Sequence, residues 1–227
     1  MTKTIKPLKF DPAWLANIRP MVFSDAQALA RMHGTGMGDS LWGKLGEAFL
    51  LRIYAALIGD PDFIAFVYVE DEKVGGFIAG TQNGPAMMRR VWKRDFAGLP
   101  RAGIRGVLKN PKLIWPLAAT PFYFRRSNPA LDKSVVAESY FCYFEPHLRG
   151  KRISGLINKV LFDELLSRGC EYLKITTESD NEGSNRQLAS WGFEKRGNFR
   201  FYGKEMVVYL LDLKNSPRVE PVSRYTR

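Results

Sequence analysis

Tyr140-Phe141-Cys142-Tyr143-Phe144-Glu145-Pro146-His147-Leu148-Arg149-Gly150-Lys151-Arg152-Ile153-Ser154-Gly155-Leu156 holds three events: an aromatic β-strand, a stop at Pro146, and a basic turn that opens a long helix. Ile153, Leu156, Ile157, Val160, Leu161 and Leu165 form one apolar stripe at helical spacing, so the helix is read from Gly150 to Arg168, with Gly169 as its left-handed stop. The first-turn N–H groups of such a helix have no internal partners and carry partial positive charge. With Arg149, Lys151 and Arg152 they form a cradle suited to a pyrophosphate. An ordinary strand–helix connection with basic surface residues fits the same pattern.

Working outward, a strand at Tyr172–Thr176 leads into a helix from about Asn181 to Ser190, with Ser179-x-x-Glu182 as a capping box. Two strands around Tyr202-Gly203 follow. On the other side, Val135 to Phe144 reads as a strand, and Phe63–Val69 with Val74–Gly80 as a hairpin around Glu70-Asp71-Glu72-Lys73. Ile18–Phe23 is an expected edge strand because of Pro20. Ser24-Asp25-Ala26-Gln27 reads as a capping box for a helix to about Met32, Gly34–Gly38 as a flexible loop, and Ser40 to Ile58 as a second helix. Gly34-x-Gly-x-Gly38 follows a helix where a nucleotide loop would follow a strand, which sets nucleotide binding there aside. The order predicts an α/β-type layered domain, a mixed sheet covered by helices. It spans 1–213, with 83–134 as a helical insertion between two strands and 214–227 as a C-terminal tail.

Composition narrows the class. A chain of 227 residues that is 45% hydrophobic and 13% aromatic is not extensively disordered. Cys142 and Cys170 are the only cysteines, which excludes a disulfide scaffold and predicts core thiols. Two histidines without close spacing predict no metal site. No apolar run approaches the roughly 20 residues of a membrane span, and Met1–Lys6 leads into no signal-peptide stretch. A cytoplasmic protein, soluble or membrane-peripheral, is the expectation.

The net charge of +11 is not spread evenly. Between Asn83 and Ser134 stand eleven basic residues, Arg89, Arg90, Lys93, Arg94, Arg101, Arg105, Lys109, Lys112, Arg125, Arg126 and Lys133, against only Asp95 and Asp132. Nearly all of the excess therefore belongs to the insertion, which interleaves its cations with Trp92, Phe96, Ile104, Leu108 and Trp115 in short broken amphipathic helices. Three readings fit: a helical flap over an acceptor cleft, contact with an anionic membrane surface, or nucleic-acid binding. The last needs only the charge, and no recognised nucleic-acid motif accompanies it.

Together with the residues downstream, the opening stretch resembles the acyl-CoA-binding turn of the GNAT superfamily of N-acyltransferases. The family pattern Gln/Arg-x-x-Gly-x-Gly/Ala falls on Arg149, Arg152 and Ser154, with Arg152 and Ser154 in place of the small residues. Asn181, then Ser184, then Gly192-Phe193 is similar to the family's Asn-x-x-Ala…Gly-Phe signature. Ile18-Arg19-Pro20, Ser24-Asp25-Ala26 and Val74–Gly80 extend the likeness over about 17–82 and 135–213.

The resemblance implies a three-layer GNAT-like fold, acetyl-CoA or another acyl-CoA as co-substrate without a metal, and transfer of the acyl group to an amine by direct attack on the thioester. It implies cofactor contacts at Cys142, Tyr143 and Phe144, where a strand N–H would hold the oxyanion. It also implies contacts at Arg149, Gly150, Lys151, Arg152, Ile153 and Ser154 for the pyrophosphate, and at Asn181 for the pantetheine arm. An amine of pKa about 10 must lose a proton before it attacks. Glu138 is the candidate base, ahead of Glu145, His33 and His147. Where the family often has a Tyr as general acid this chain has Leu188, so Tyr202 or Tyr143 is expected to serve, or the thiolate leaves unaided. The expected acceptor is a small-molecule amine such as an amino sugar. The alternative is a non-catalytic acyl-CoA-sensing module that docks to membrane or nucleic acid through the insertion.

Overall fold

The computed structural model describes residues 5–6, 8–128, 131–132 and 134–221. Met1–Thr4, Lys133 and the end of the tail, read above, lie outside them.

Seven strands build one sheet: β1 (Ile18–Pro20), β2 (Phe63–Glu70), β3 (Lys73–Thr81), β4 (Glu138–Phe144), β5 (Tyr172–Glu178), β6 (Glu194–Phe201) and β7 (Lys204–Asp212), in the order β1-β2-β3-β4-β5-β7-β6. All neighbours are antiparallel except β4 and β5, which run parallel. Pro20 sits on the edge strand, where a missing amide costs the ladder least.

The helices are α1 (Ala26–Gly36), α2 (Leu41–Leu45) and α3 (Glu47–Ile58); then α4 (Gly84–Arg94), α5 (Gly98–Lys109), α6 (Ile114–Ala119) and α7 (Tyr123–Arg126) of the insertion; then α8 (Ile153–Ser167) and α9 (Glu182–Trp191). The predicted stripe of α8 is buried with Ile64, Phe66, Ile78 and Trp191 on one face of the sheet. On the other face Leu29, Met32, Leu50 and Tyr54 of α1 and α3 pack on Val67, Phe77 and Ala79. The insertion adds a third cluster, in which Met87, Val91, Leu99 and Leu113 close over Leu45, Phe49, Ile53 and Leu57.

Local departures have local causes. Ser24 does not cap α1. A short 3-10 turn at Phe23–Asp25 precedes the helix, and Asp25 accepts from the Val22 amide at 2.8 Å while pairing with Arg19 at 2.7 Å. Asp25 thus closes the 3-10 turn, and α1 begins without a side-chain cap. The loop expected at Gly34–Gly38 is helical through Gly36. The helix expected over Ser40–Ile58 breaks at Gly46, whose φ of +94° suits glycine. Asn181 rather than Ser179 caps α9, accepting from the Ser184 amide at 3.1 Å. Beyond β7, Val219 joins the main core and Arg218 lies over the Trp191 ring at 5.3 Å.

Candidate active site

The site begins with a parting of strands. β4 and β5 pair only at Glu138↔Lys174 and Ser139↔Ile175. Beyond that rung they separate, and Tyr140 to Phe144 lose their β5 neighbour. Tyr140 is an extra residue in β4, since Ala79 pairs with Phe141 and Gly80 with Ser139. Such a bulge bends a strand and increases its twist. The Glu145 amide donates to the Gly75 carbonyl at 2.9 Å, which fixes the phase of what precedes it. By alternation, Tyr143 turns its backbone to β3, and Phe144 and Cys142 turn theirs into the wedge. The Phe144 carbonyl indeed accepts from Arg149 Nε on that open side, at 3.1 Å. Of the three residues expected to face a thioester, Cys142 and Phe144 therefore offer amides to the wedge. The Cys142 residue is exposed toward this opening, yet its thiol is desolvated, with Asn158 Nδ2 donating to Sγ at 3.8 Å and burial pushing the pKa up to about 12, while Cys170 is half-buried.

Small residues seat the wall of the wedge. A Cβ on Gly36 would come within 1.8 Å of the Tyr143 ring, and one on Gly76 within 2.2 Å of the Phe144 ring. Gly36→Ala is expected to cost about 1–3 kcal/mol through overpacking, read from urea midpoints, because the buried Tyr143 ring has to leave its seat.

At the mouth of the wedge lies the turn into α8. Gly150 has φ +80° and Arg152 φ +63°, the left-handed region. Arg152 thus adopts the backbone that the family pattern gives to glycine. Among the described residues no hydrogen bond reaches the amides of Gly150, Lys151, Arg152, Ile153 and Ser154, while Gly155 and Leu156 begin the helical ladder on the Arg152 carbonyl. Five free amides on a curved, basic backbone make an anion-binding concavity. Arg149 is anchored beside it, stacked over Tyr143 at 5.3 Å from the ring centroid, whereas Lys151 and Arg152 extend into solvent. Arg152→Gly is expected to stabilise the fold by up to about 1 kcal/mol, since relief of left-handed strain slightly exceeds the added chain entropy. Thermal unfolding checks it.

Asn181 opens α9 directly after β5, on the far side of the wedge. Leu188 is buried in the main core, so its position supplies no hydroxyl to the wedge.

The insertion folds over the Glu138–Lys174 rung. Glu138 is 1% and Lys174 2% exposed, paired at 3.2 Å. The Tyr123 hydroxyl of α7 hydrogen-bonds Glu138 and lies 2.7 Å from Thr176 Oγ1. Lys174 Nζ also donates to Ser127 Oγ at 2.8 Å and Asn128 Oδ1 at 2.9 Å. Burial pushes the Glu138 carboxyl above the usual range, and Lys174 and Tyr123 partly hold it down. Glu138, the candidate base, is thus covered by Tyr123. Tyr202, in the β6–β7 turn, lies 2.8 Å from Thr120 Oγ1, and its neighbour Phe201 packs on Tyr123 at 5.2 Å between ring centroids. The insertion therefore brings Glu138 and Tyr202 into one patch and occupies both. His33, a lesser candidate base, is fully buried between Tyr54 at 2.8 Å and Ser40 at 2.9 Å, its pKa pushed down to about 4 by burial. His147 pairs instead with Glu70, on the surface.

Lys174, Tyr123 and Thr176 were not singled out from sequence. Lys174 between Leu173 and Ile175 carried a usable signal, a lone cation at the centre of a strand. Tyr123 carried none, because contact between residues 123 and 138 depends on how the insertion folds back. Among the described residues no group of three His, Cys, Asp or Glu side chains could hold a metal ion, and no helix is long and apolar enough to cross a membrane.

The mixed seven-stranded sheet, the parallel β4/β5 pair that parts after two rungs, and the helix that starts at its mouth define a GNAT acyl-CoA N-acyltransferase-like fold. An N-acetyltransferase from Staphylococcus aureus Mu50 superposes with a TM-score of 0.56 at 16% identity, over 86% of this chain and 97% of that one. A ribosomal-protein-alanine N-acetyltransferase from Brucella melitensis gives 0.55 at 18% identity, over 86% and 98%. The ribosomal-protein-S18-alanine N-acetyltransferase from Escherichia coli gives 0.51 at 11% identity, over 92% and 98%. No protein-family model matches the sequence, and comparison with curated proteins gives no match.

Proposed function

We propose that the protein is an acyl-CoA-dependent N-acyltransferase that moves an acetyl or other acyl group from the thioester to an amine by direct attack. The observation that carries this is the β4/β5 wedge, with outward-facing amides at Cys142 and Phe144 leading to five free amides at the α8 turn. The pantetheine arm lies along the wedge past Asn181. The pyrophosphate rests on Gly150–Ser154 with Arg149 and Lys151, and a wedge amide meets the oxyanion. Glu138 takes the amine proton once Tyr123 of α7 has withdrawn from it, and Tyr202 supplies a proton to the leaving thiolate once Thr120 has released it. The acceptor is a small-molecule amine, an amino sugar among the candidates.

The test is release of CoA thiol from acetyl-CoA across a panel of amines. Amine-dependent release supports the proposal, and none with any amine or acyl chain overturns it. Arg149→Ala is expected to weaken acetyl-CoA binding about 10–100-fold, the worth of a lost charge-assisted bond. Lys151→Ala should weaken it less, since it removes a charge without freeing the Phe144 carbonyl. Calorimetric titration separates the two.

A second reading, acyl-CoA binding without turnover, is favoured by Leu188 in the core and by Glu138 closed under Tyr123. It predicts binding with no thiol release.

A further inference from the structure

Helix α5 is built inside out. Its buried face carries Leu99, Gly103 and Gly106. A Cβ on Gly106 would meet the Lys44 carbonyl at 2.5 Å and Leu45 Cα at 2.6 Å, and one on Gly103 would touch Leu45 and Phe49 at 3.4 Å. The glycines let α5 lie close against α2 and α3, and only a small face is left for the core. A helix that packs on a core normally turns its large aliphatic residues inward. Here Ile104 and Leu108 point outward with Arg101, Arg105 and Lys109, on one side at three- and four-residue spacing. Leu108 is 72% exposed.

The pattern continues past the helix. Lys112, Ile114 and Trp115 follow directly, and Trp115 is 80% exposed. Phe96 precedes α5 at 76%. The charge here is uncompensated, unlike that of Arg90 at the start of the insertion. Arg90 of α4 is matched by Asp60 at 2.6 Å and Asp62 at 2.5 Å, and Arg52 by Asp95. From Phe96 to Leu131 the sequence holds no Asp or Glu. Among the described residues Arg101, Arg105, Lys109 and Lys112 make no ion pair.

We propose that the outward face of α5, continued through Lys112 to Trp115, docks the protein on an anionic phospholipid bilayer. Lipid matches both halves of the surface. Arg and Lys meet phosphate headgroups, and Ile104, Leu108 and Trp115 enter the boundary between headgroups and acyl chains, where an indole is well placed. A polynucleotide would use the cations and leave the exposed aliphatic side chains Ile104, Leu108 and Ile114 without a partner. The proposal is independent of the acyltransferase reading, because it uses none of the wedge or turn residues.

The full chain is co-sedimented with vesicles of phosphatidylcholine, and with vesicles of phosphatidylcholine and phosphatidylglycerol, at low and high salt. Binding is expected only with phosphatidylglycerol, accompanied by a blue shift of tryptophan emission that Trp115→Phe removes. Arg105→Gln with Lys109→Gln should weaken binding about 25-fold, at roughly fivefold per cation. Leu108→Ala with Trp115→Ala should weaken it at least about tenfold at either salt. All four positions are exposed, so an unchanged Tm verifies that the variants remain folded. Absence of wild-type binding to phosphatidylglycerol vesicles overturns the proposal. So does binding to single-stranded RNA that exceeds vesicle binding and persists in Leu108→Ala/Trp115→Ala, an outcome that would assign the surface to nucleic acid.

Discussion

Lys174→Met is expected to destabilise the fold by about 3–5 kcal/mol at pH 7.5 and by markedly less at pH 5. Lys174 lies beneath the insertion with Glu138, both almost fully buried, and their rung is where β4 and β5 make contact before parting. Methionine fills similar volume, so the loss comes from an uncompensated carboxylate and from the Lys174 bonds to Ser127 and Asn128, not from a cavity. The pH dependence has a definite sign. Burial already raises the Glu138 pKa, and removing Lys174 takes away the largest influence holding it down. A carboxyl whose folded pKa lies above its unfolded value stabilises the fold fully below the unfolded value, and that contribution is lost as pH rises through the folded one. The variant should therefore regain stability on acidification, relative to wild type. Urea unfolding at the two pH values measures it. Glu138→Gln in the same background removes the stranded charge and should recover part of the loss at neutral pH. Equal destabilisation at both pH values would show that Glu138 is not charged in the folded variant.

Glu138→Gln alone is expected to lower amine-dependent turnover by about 10²–10⁴-fold, the range of a lost general base, while acetyl-CoA still binds. The substitution also leaves Lys174 unpaired and so weakens the fold. Lys174→Met, which breaks the same ion pair but keeps the carboxylate, is the control. In that variant the raised Glu138 pKa should move the acid limb of the pH–rate profile upward and leave turnover recoverable at higher pH. In Glu138→Gln the limb should disappear. If both variants lose turnover equally at every pH, the effect belongs to the structural rung, and Glu138 is a positioning residue instead of a base.

Much of the architecture was legible because it is written in local periodicity. The stripe of α8, the hairpin of β2 and β3, and the turn at Tyr202-Gly203 each follow from residues within a few positions of one another. The turn at Arg149–Ser154 was legible for the same reason, although its left-handed Arg152 was not, since nothing adjacent marks an arginine for that conformation. Helix ends were misread where another partner or backbone conformation intervened: Asp25 turns back to Arg19 and the Val22 amide and the helix starts without a Ser24 cap, and Gly46 splits one helix into two. The state of Glu138 was beyond reach, because its surroundings come from residues 123, 174 and 176 and from a fold-back of the insertion that no periodicity encodes. The insertion's excess charge was visible from the start. That Arg90 is matched while the cations of α5 are not needed the positions of Asp60 and Asp62.

If the wedge and the α8 turn bind an acyl-CoA, acetyl-CoA should raise the unfolding temperature in a thermal titration. Stabilisation should grow with the logarithm of ligand concentration above the Kd. At a hundredfold excess over Kd it should reach about 2.7 kcal/mol, or roughly 5–10 °C in Tm for a chain of this size, and it should shrink in Arg149→Ala. An unchanged Tm with acetyl-CoA, longer acyl-CoAs and free CoA alike, up to millimolar concentration, would show that the wedge and the turn hold no acyl-CoA.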